Sequence, residues 1–434
     1  RLGGKLHTAD LAGLPVESGA DAFLARVPEG TALARRVGLG DELISPAATE
    51  ASVLTRGRLR PLPEQTVLGI PTRMAPLRRT RVLSAPALAR AAAERLLPAR
   101  RVEAPVSVGE WVGARFGRGV VDALVDPLLG GVYAGHADRL DLDATLPDVA
   151  RVARAHGRVL GRLRPPRAPG TPVFQSVRGG LTRLVDAVAR TARDHGATLE
   201  TGARVVALER VGRGWRVTLA GGRAVVAEAV IVSTPAFTSA RLLGEVAPQA
   251  AALLGSVEYA SVGIVSLALP WTSAVAPATQ SGFLVAATEP FAVKAGTWMS
   301  AKWPSPASGR DLALVRCSVG RAADDAALGL EDSELVARVC ADLAAITGEP
   351  VAPRGARVTR WLDALPQYSV AHAARMASVQ AAVSPLGGLA LAGAAYDGVG
   401  IPACIRSAGH AVARVREHLG ATIGSPAEGI AADG

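Results

Sequence analysis

Residues 388–417 read GLALAGAAYDGVGIPACIRSAGHAVARVRE, and this stretch decides the fold. Leu389 to Ala392 is a short apolar run with strand character, and a loop containing Gly393, Gly398 and Gly400 follows it. The chain then enters a helix near Pro402, with Ile405, Ala408, Val412 and Val415 expected on one face. Strand, glycine loop and helix together aim free backbone N–H groups and a positive helix end at an anion or an electron-rich ring. Glycines let the backbone approach a flat ligand where a Cβ would collide. A structural turn has the same appearance, so the loop gains meaning only from its surroundings.

Working outward, residues 179–235 carry the most legible architecture. Gly179-Gly180 opens a helix with Leu181, Leu184, Val185 and Val188 inward, ending near His195-Gly196. A strand over 197–200 is expected next, then strands at 205–211, 215–219 and 224–232 separated by glycine turns and ending at Thr234-Pro235. Residues 260–271, 291–303 and 311–319 alternate like strands of a second sheet, and 331–347 reads as a helix. Segments 29–41 and 85–101 are helical by apolar spacing, whereas the Pro- and Gly-rich 56–78 reads as loop and short strand. Residues 107–160 are mainly helical, with interruptions expected at Pro127 and Gly130-Gly131. The run RPPRAPGTP at 164–172 is a linker.

A chain of 434 residues with 49% hydrophobic and 20% charged content is an ordinary folded protein of two or three domains. Its net charge of +10 comes almost wholly from dispersed arginines, with lysine only at Lys5, Lys294 and Lys302. No nucleic-acid-reading motif accompanies them, so nucleic acid is not expected as a partner, whereas a carboxylate-bearing substrate would find a favourable field. Cys317, Cys340 and Cys404 form neither a disulfide framework nor a CxxC pair, which points to a reducing compartment. The histidines form no ligand cluster, so no metal site is expected. No apolar run reaches the length of a transmembrane helix, the nearest being Ser261 to Trp271, and peripheral membrane contact stays open. The chain begins at Arg1 without methionine, which reads as a fragment lacking its first element.

Taken in order, these pieces resemble the FAD-dependent protoporphyrinogen/coproporphyrinogen III oxidase family, of the Gram-positive coproporphyrinogen III oxidase type, within the amine-oxidase flavoprotein superfamily. Arg1-Leu2-Gly3-Gly4-Lys5 is similar to the family's double-glycine segment, and Val16-Glu17-Ser18-Gly19-Ala20-Asp21 to its turn beside the flavin ring. Gly69-Ile70-Pro71-Thr72, Arg115-Phe116-Gly117, Asp126-Pro127-Leu128-Leu129-Gly130-Gly131, Lys302-Trp303-Pro304, Leu365-Pro366-Gln367-Tyr368 and Tyr396-Asp397-Gly398-Val399-Gly400-Ile401-Pro402 continue the likeness in sequence order.

The resemblance implies an α/β (α+β) two-domain flavoprotein fold with a truncated dinucleotide-binding domain, a mixed-sheet substrate domain and a helical subdomain. It implies an FAD-binding domain from 1–45, 173–237 and 358–420, a substrate domain from 46–78 and 238–357, a helical subdomain at 79–172 and a flexible tail at 421–434. The phosphate-cradling G-x-G-x-x-G is absent and is expected upstream of Arg1. Cofactor-binding residues implied are Gly3, Gly4, Lys5, Gly19, Ala20, Asp21, Ala22, Val205, Trp361, Val399, Gly400 and Ile401. For Gly3 and Gly4 the alternative is an ordinary turn, for the Lys5 side chain solvation, and for Val205 and Trp361 plain core packing.

The implied activity is oxidation of coproporphyrinogen III to coproporphyrin III with FAD and dioxygen, in a cytoplasmic haem-biosynthesis step beside other haem-pathway enzymes. Alternatives are protoporphyrinogen IX oxidation, another flavoenzyme of the superfamily, or a non-catalytic porphyrin-binding protein. The flavin carries the redox chemistry, so no obligatory acid–base side chain is expected. Related plant and animal enzymes have an arginine where this chain has Asp21, and a carboxylate there is expected to repel a substrate propionate. Arg73, Arg115 and Arg139 are the candidates for holding the substrate carboxylates instead.

Overall fold

In a computed structural model the described residues are 1–99, 101–163, 172–271, 280–303 and 311–420; the expected linker at 164–172 (all but its last residue), Pro304 and the tail at 421–434 lie outside them. The architecture is mixed α/β, as expected. It divides into two compact units, one of Arg1–Leu199, Glu258–Ala373 and Gly400–Pro402, the other of Glu200–Val257, Ala374–Val399 and Ala403–Gly434.

The first unit is built on a seven-stranded sheet. Its spatial order is Gly355–Pro366, Tyr259–Pro270, Leu312–Val319, Val293–Trp298, Gln280–Val285, Glu50–Thr55 and Arg58–Pro61. Neighbours are antiparallel except Gln280–Val285 with Glu50–Thr55, which run parallel. Side chains alternate across a strand, so each strand divides its residues between two faces. Val265, Leu267, Leu269, Val315, Cys317 and Val319 lie in one cluster with Leu335, Val339, Leu343 and Ile346 of the helix Asp332–Thr347. A capping box, Glu331 with Glu334, starts that helix.

The alternate residues point to the opposite face. There the hairpin of Thr8–Leu11 with Leu14–Glu17 lies on the sheet, and Leu11, Leu14 and Val16 pack with Ala268, Leu314 and Met299. Ala12 (φ 55°) and Gly13 (φ 80°) form its two-residue turn, whose left-handed conformations match the twist of paired strands. The helix Thr182–Asp194 contributes Leu184 and Ala187 to a third cluster, with Phe23, Ala34 and Val177.

Several local expectations are corrected. The helix Asp126–Tyr133 runs through Gly130-Gly131, and Pro127 sits in its first turn, where an N–H has no intrahelical partner anyway. The interruption instead falls at Gly117 (φ 87°), between the helices Val108–Phe116 and Arg118–Val120. Met74–Thr80 is helical inside the stretch read as loop, with Pro76 in the first turn. The helix at 85 ends at Ala92 and tightens into a 3₁₀ turn at Ala93–Arg95, short of residue 101. Val188 is exposed rather than inward, and residues 197–200 form no strand.

In the second unit the meander appears as Val205–Val211, Gly214–Leu219 and Ala224–Ala227. Val230–Val232 then pairs in parallel with Leu389–Leu391, Val230 opposite Leu389. The C-terminal helix spans Ile401–His418. Its packed face differs from the expected one: Ser407 and Ala411 are buried and Val415 joins Ala390, Ala392 and Ile231, whereas Ala408 and Val412 are exposed. Small side chains allow this helix to approach the strand closely, and a search for bulky apolar residues misses such a face. No helix among the described residues is long and apolar enough to cross a membrane.

Candidate active site

The hairpin on the open face of the sheet leads directly into the turn Ser18-Gly19-Ala20-Asp21. A Cβ on Gly19 would stand 1.9 Å from the Lys5 carbonyl oxygen, so only glycine fits. Gly3 (φ 89°) and Gly4 (φ 54°) are both left-handed, and the turn they make is closed by the Leu6 N–H donating to the Gly3 carbonyl at 2.9 Å. The Ser18 N–H donates to the His7 carbonyl at 2.8 Å. Two glycine turns, one before and one after the hairpin, therefore lie against each other at its open end. Ala20, Leu6 and Ile401 pack on the cluster around Phe23 and Leu184, which brings the start of the C-terminal helix to the same place. Ala22 follows in the turn, half-buried, just before Phe23.

Glu17 anchors this arrangement from below. Its Oε1 accepts from the Leu181 N–H at 2.6 Å and from the Thr8 hydroxyl at 3.1 Å. Leu181 immediately precedes the helix Thr182–Asp194, so the carboxyl satisfies one of the otherwise unpaired donors at that helix start. Burial pushes the Glu17 carboxyl above its usual range, outweighing those two hydrogen bonds and the nearby Arg316 charge. Its Oε2, the Ser18 hydroxyl and Arg316 Nη1 are buried without a hydrogen-bond partner, an uncommon concentration of unmet polar atoms around one turn.

Asp21 is the electrostatic centre. Its Oδ2 accepts from Lys302 Nζ at 2.7 Å and from Trp303 Nε1 at 3.0 Å, and its Oδ1 lies 3.7 Å from Arg316 Nη1. Burial alone would raise the carboxyl, but the Lys302 and Arg316 charges with these hydrogen bonds hold it well below the usual carboxylate range. Lys302 also lies 5.6 Å from the Phe174 ring centroid and 5.3 Å from that of Trp303. The expectation of a repulsive carboxylate is thereby corrected, because two cations face Asp21.

The remaining sequence candidates fall out unevenly. Trp361 Nε1 donates to the Ser18 carbonyl at 2.6 Å, tying the edge strand to the glycine turn. Lys5 Nζ donates to the Ala364 carbonyl, so its side chain is engaged. Gly400 and Ile401 belong to the same unit as these residues; Val205 and Val399 belong to the other. Arg115 is excluded as a substrate ligand, since it is buried with Glu94 at 2.7 Å and further held by the Pro98 carbonyl. Arg139 makes an exposed ion pair with Glu258 at 2.6 Å, and Arg73 is an exposed residue at the start of Met74–Thr80.

Sequence reasoning missed Arg316 and gave Lys302 no role. A signal was present for the first: Arg316 is the one charge within LALVRCSV, a strand otherwise apolar or small. On the sheet it lies between Ser266 and Thr297, and Arg357 lies beyond Ser266. A polar row thus crosses four adjacent strands on the face that carries the glycine turn.

Comparison with known proteins gives the family of the chain. The family of flavin-containing amine oxidoreductases matches residues 1–416. The chain is 39% identical to a coproporphyrinogen III oxidase of Mycobacterium tuberculosis, over 98% of this chain and 91% of that protein. It is 32% identical to the Bacillus subtilis protein of the same description, over 96% and 90%. A solved structure from Exiguobacterium sp. 255-15, provisionally described as a protoporphyrinogen oxidase, superposes with a TM-score of 0.84 at 29% identity, covering 97% of this chain and 91% of that one. With a fold, a glycine-lined turn and a full-length likeness all in agreement, the chain belongs to the flavin-containing amine oxidoreductase family and is an oxidoreductase with FAD as its cofactor.

Proposed function

We propose that this protein oxidises coproporphyrinogen III to coproporphyrin III, with dioxygen as final acceptor, as a cytoplasmic step of haem biosynthesis. What supports this reading most is the near-full-length likeness to the mycobacterial and Bacillus enzymes of that description.

The residues present fit the cofactor. Glycine-only positions line the turn, and unmet buried polar atoms surround it, as suits a flat ring with polar edges. In this reading Gly3, Gly4, Lys5, Gly19, Ala20, Asp21, Ala22, Trp361, Gly400 and Ile401 of the first unit hold FAD. Asp21 takes part through its place in the turn, since its side chain is engaged by Lys302 and Trp303.

FAD, when bound, supplies the acceptor for the electron pairs removed from the porphyrinogen. The protein's own contribution is placement. Gly19 keeps the backbone low enough for a ring to lie against it. The hydrogen bond from Trp361 fixes the Ser18 carbonyl, and through it the attitude of the turn. Gain of macrocycle aromaticity drives the reaction, so no side chain is needed as an obligatory acid or base.

Turnover of coproporphyrinogen III and protoporphyrinogen IX, each followed by porphyrin fluorescence and peroxide release, tests the assignment. Faster oxidation of coproporphyrinogen III is expected. Equal or better use of protoporphyrinogen IX would reassign the substrate.

A further inference from the structure

We propose that Arg316 is a binding residue for a carboxylate of the substrate, its guanidinium presented by the interior strand Leu312–Val319 beside Lys302 and Asp21. The inference rests on the porphyrinogen reading above and gives that reading its anchor.

The position of Arg316 in the sheet is the first argument. Its strand neighbours Val315 and Cys317 are fully buried in the cluster beneath the helix Asp332–Thr347. Arg316 therefore projects to the opposite face, the one on which Ser18, Gly19 and Asp21 lie. Placing an arginine in the middle of a covered strand is costly unless its donors are met. Here they are not all met. Asp21 approaches Nη1 only to 3.7 Å, an ion pair without a hydrogen bond, and Nη1 has no other partner. The planar fork of arginine matches a carboxylate, which accepts from it in parallel.

Local charge points the same way. Lys302 and Arg316 both lie against Asp21, so two cations meet one carboxylate there and one positive charge is in excess around it. Burial of Glu17 favours its neutral form and leaves that excess in place. Arg316 and Lys302 keep 15% of their side-chain surface exposed although Nη1 itself is enclosed, so an anionic group approaches the rest of the guanidinium and the ammonium. Ser266 and Thr297 are the cross-strand partners of Arg316 and share its face of the sheet.

The test compares coproporphyrinogen III with its fully esterified, uncharged form in the wild-type enzyme, Arg316→Gln and Arg316→Lys. For Arg316→Gln the KM of the acid is expected to rise about 10- to 100-fold, as loss of a charge-assisted hydrogen bond implies, with kcat nearly unchanged. The ester KM is expected to stay constant. Arg316→Lys, which keeps the charge, recovers part of the loss and serves as the readout should Arg316→Gln prove unstable. Binding of the fluorescent product coproporphyrin III weakens in parallel, a readout independent of turnover. Equal changes for acid and ester, or no change in either, with the flavin band retained, would overturn the role of Arg316. Absence of coproporphyrinogen oxidation in the wild type would instead overturn the functional reading, and the product-binding titration would still report on Arg316.

Discussion

The Asp21 carboxylate meets the Lys302 ammonium at 2.7 Å across 281 positions of sequence. This pair joins the glycine turn to the end of the strand Val293–Trp298 and its following helical turn Met299–Lys302. The glycine turn is thereby fixed to the sheet by charge as well as by the packing of Leu14 and Val16.

Replacing Lys302 with Met should weaken that link. The pair is mostly enclosed, so a loss of about 1–3 kcal/mol is expected, between surface and fully buried pairs. The sign with pH follows from Asp21, whose carboxyl is depressed in the folded state. Its stabilisation is complete above the unfolded carboxylate value of about 4 and is lost as pH falls toward the folded one. Urea unfolding of wild type and variant should differ most near neutrality and converge on acidification.

Gly19→Ala introduces a Cβ 1.9 Å from the Lys5 carbonyl oxygen, and backbone cannot yield as a flexible side chain does. Overpacking of this kind destabilises by about 1–3 kcal/mol. Flavin content per chain, read from visible absorbance, should fall more than thermal stability. A variant that keeps full flavin occupancy would show that the turn lies away from the cofactor.

Glu17→Gln probes the opposite pH behaviour. Burial raises the Glu17 carboxyl in the folded protein, so its contribution is fully present below the unfolded value of about 4 and declines as pH rises through the folded one. Glutamine retains an acceptor for the Leu181 N–H and removes the titration. Stability of the variant should change less than that of wild type as pH rises above the unfolded value, measured by chemical unfolding. A steeper alkaline loss in the variant would contradict the assignment.

Arg115→Met should be severe, because it leaves the buried Glu94 carboxylate uncompensated; about 3–5 kcal/mol is expected. Arg118→Met, removing an exposed arginine paired with Asp122 and Asp138, should cost under about 1 kcal/mol per pair. Matched thermal melts of the two variants compare them directly.

Sequence periodicity located the strand Val205–Val211 and the helix Asp332–Thr347 because their apolar residues recur at the spacing of their own element. It misplaced the packed face of Ile401–His418, where burial follows small residues such as Ser407 and Ala411. Gly130-Gly131 suggested a break for the same reason that Pro127 did, yet both fit a helix whose neighbours, Arg321 and Leu284, come close. The glycine turn was legible as a motif, since Gly19 has no substitute there. Its charge state was not, because Lys302 and Arg316 reach Asp21 only through the folded sheet.

Passage of electrons from a porphyrinogen to a flavin bound by this chain is read out by anaerobic mixing. Purified protein with flavin bound is combined with coproporphyrinogen III without oxygen while the visible flavin band is followed. The band is expected to bleach as porphyrin fluorescence appears, and both changes to stop until air is admitted. A flavin band that persists while the protein only quenches porphyrin fluorescence would contradict it and leave a porphyrin-binding protein without oxidase activity.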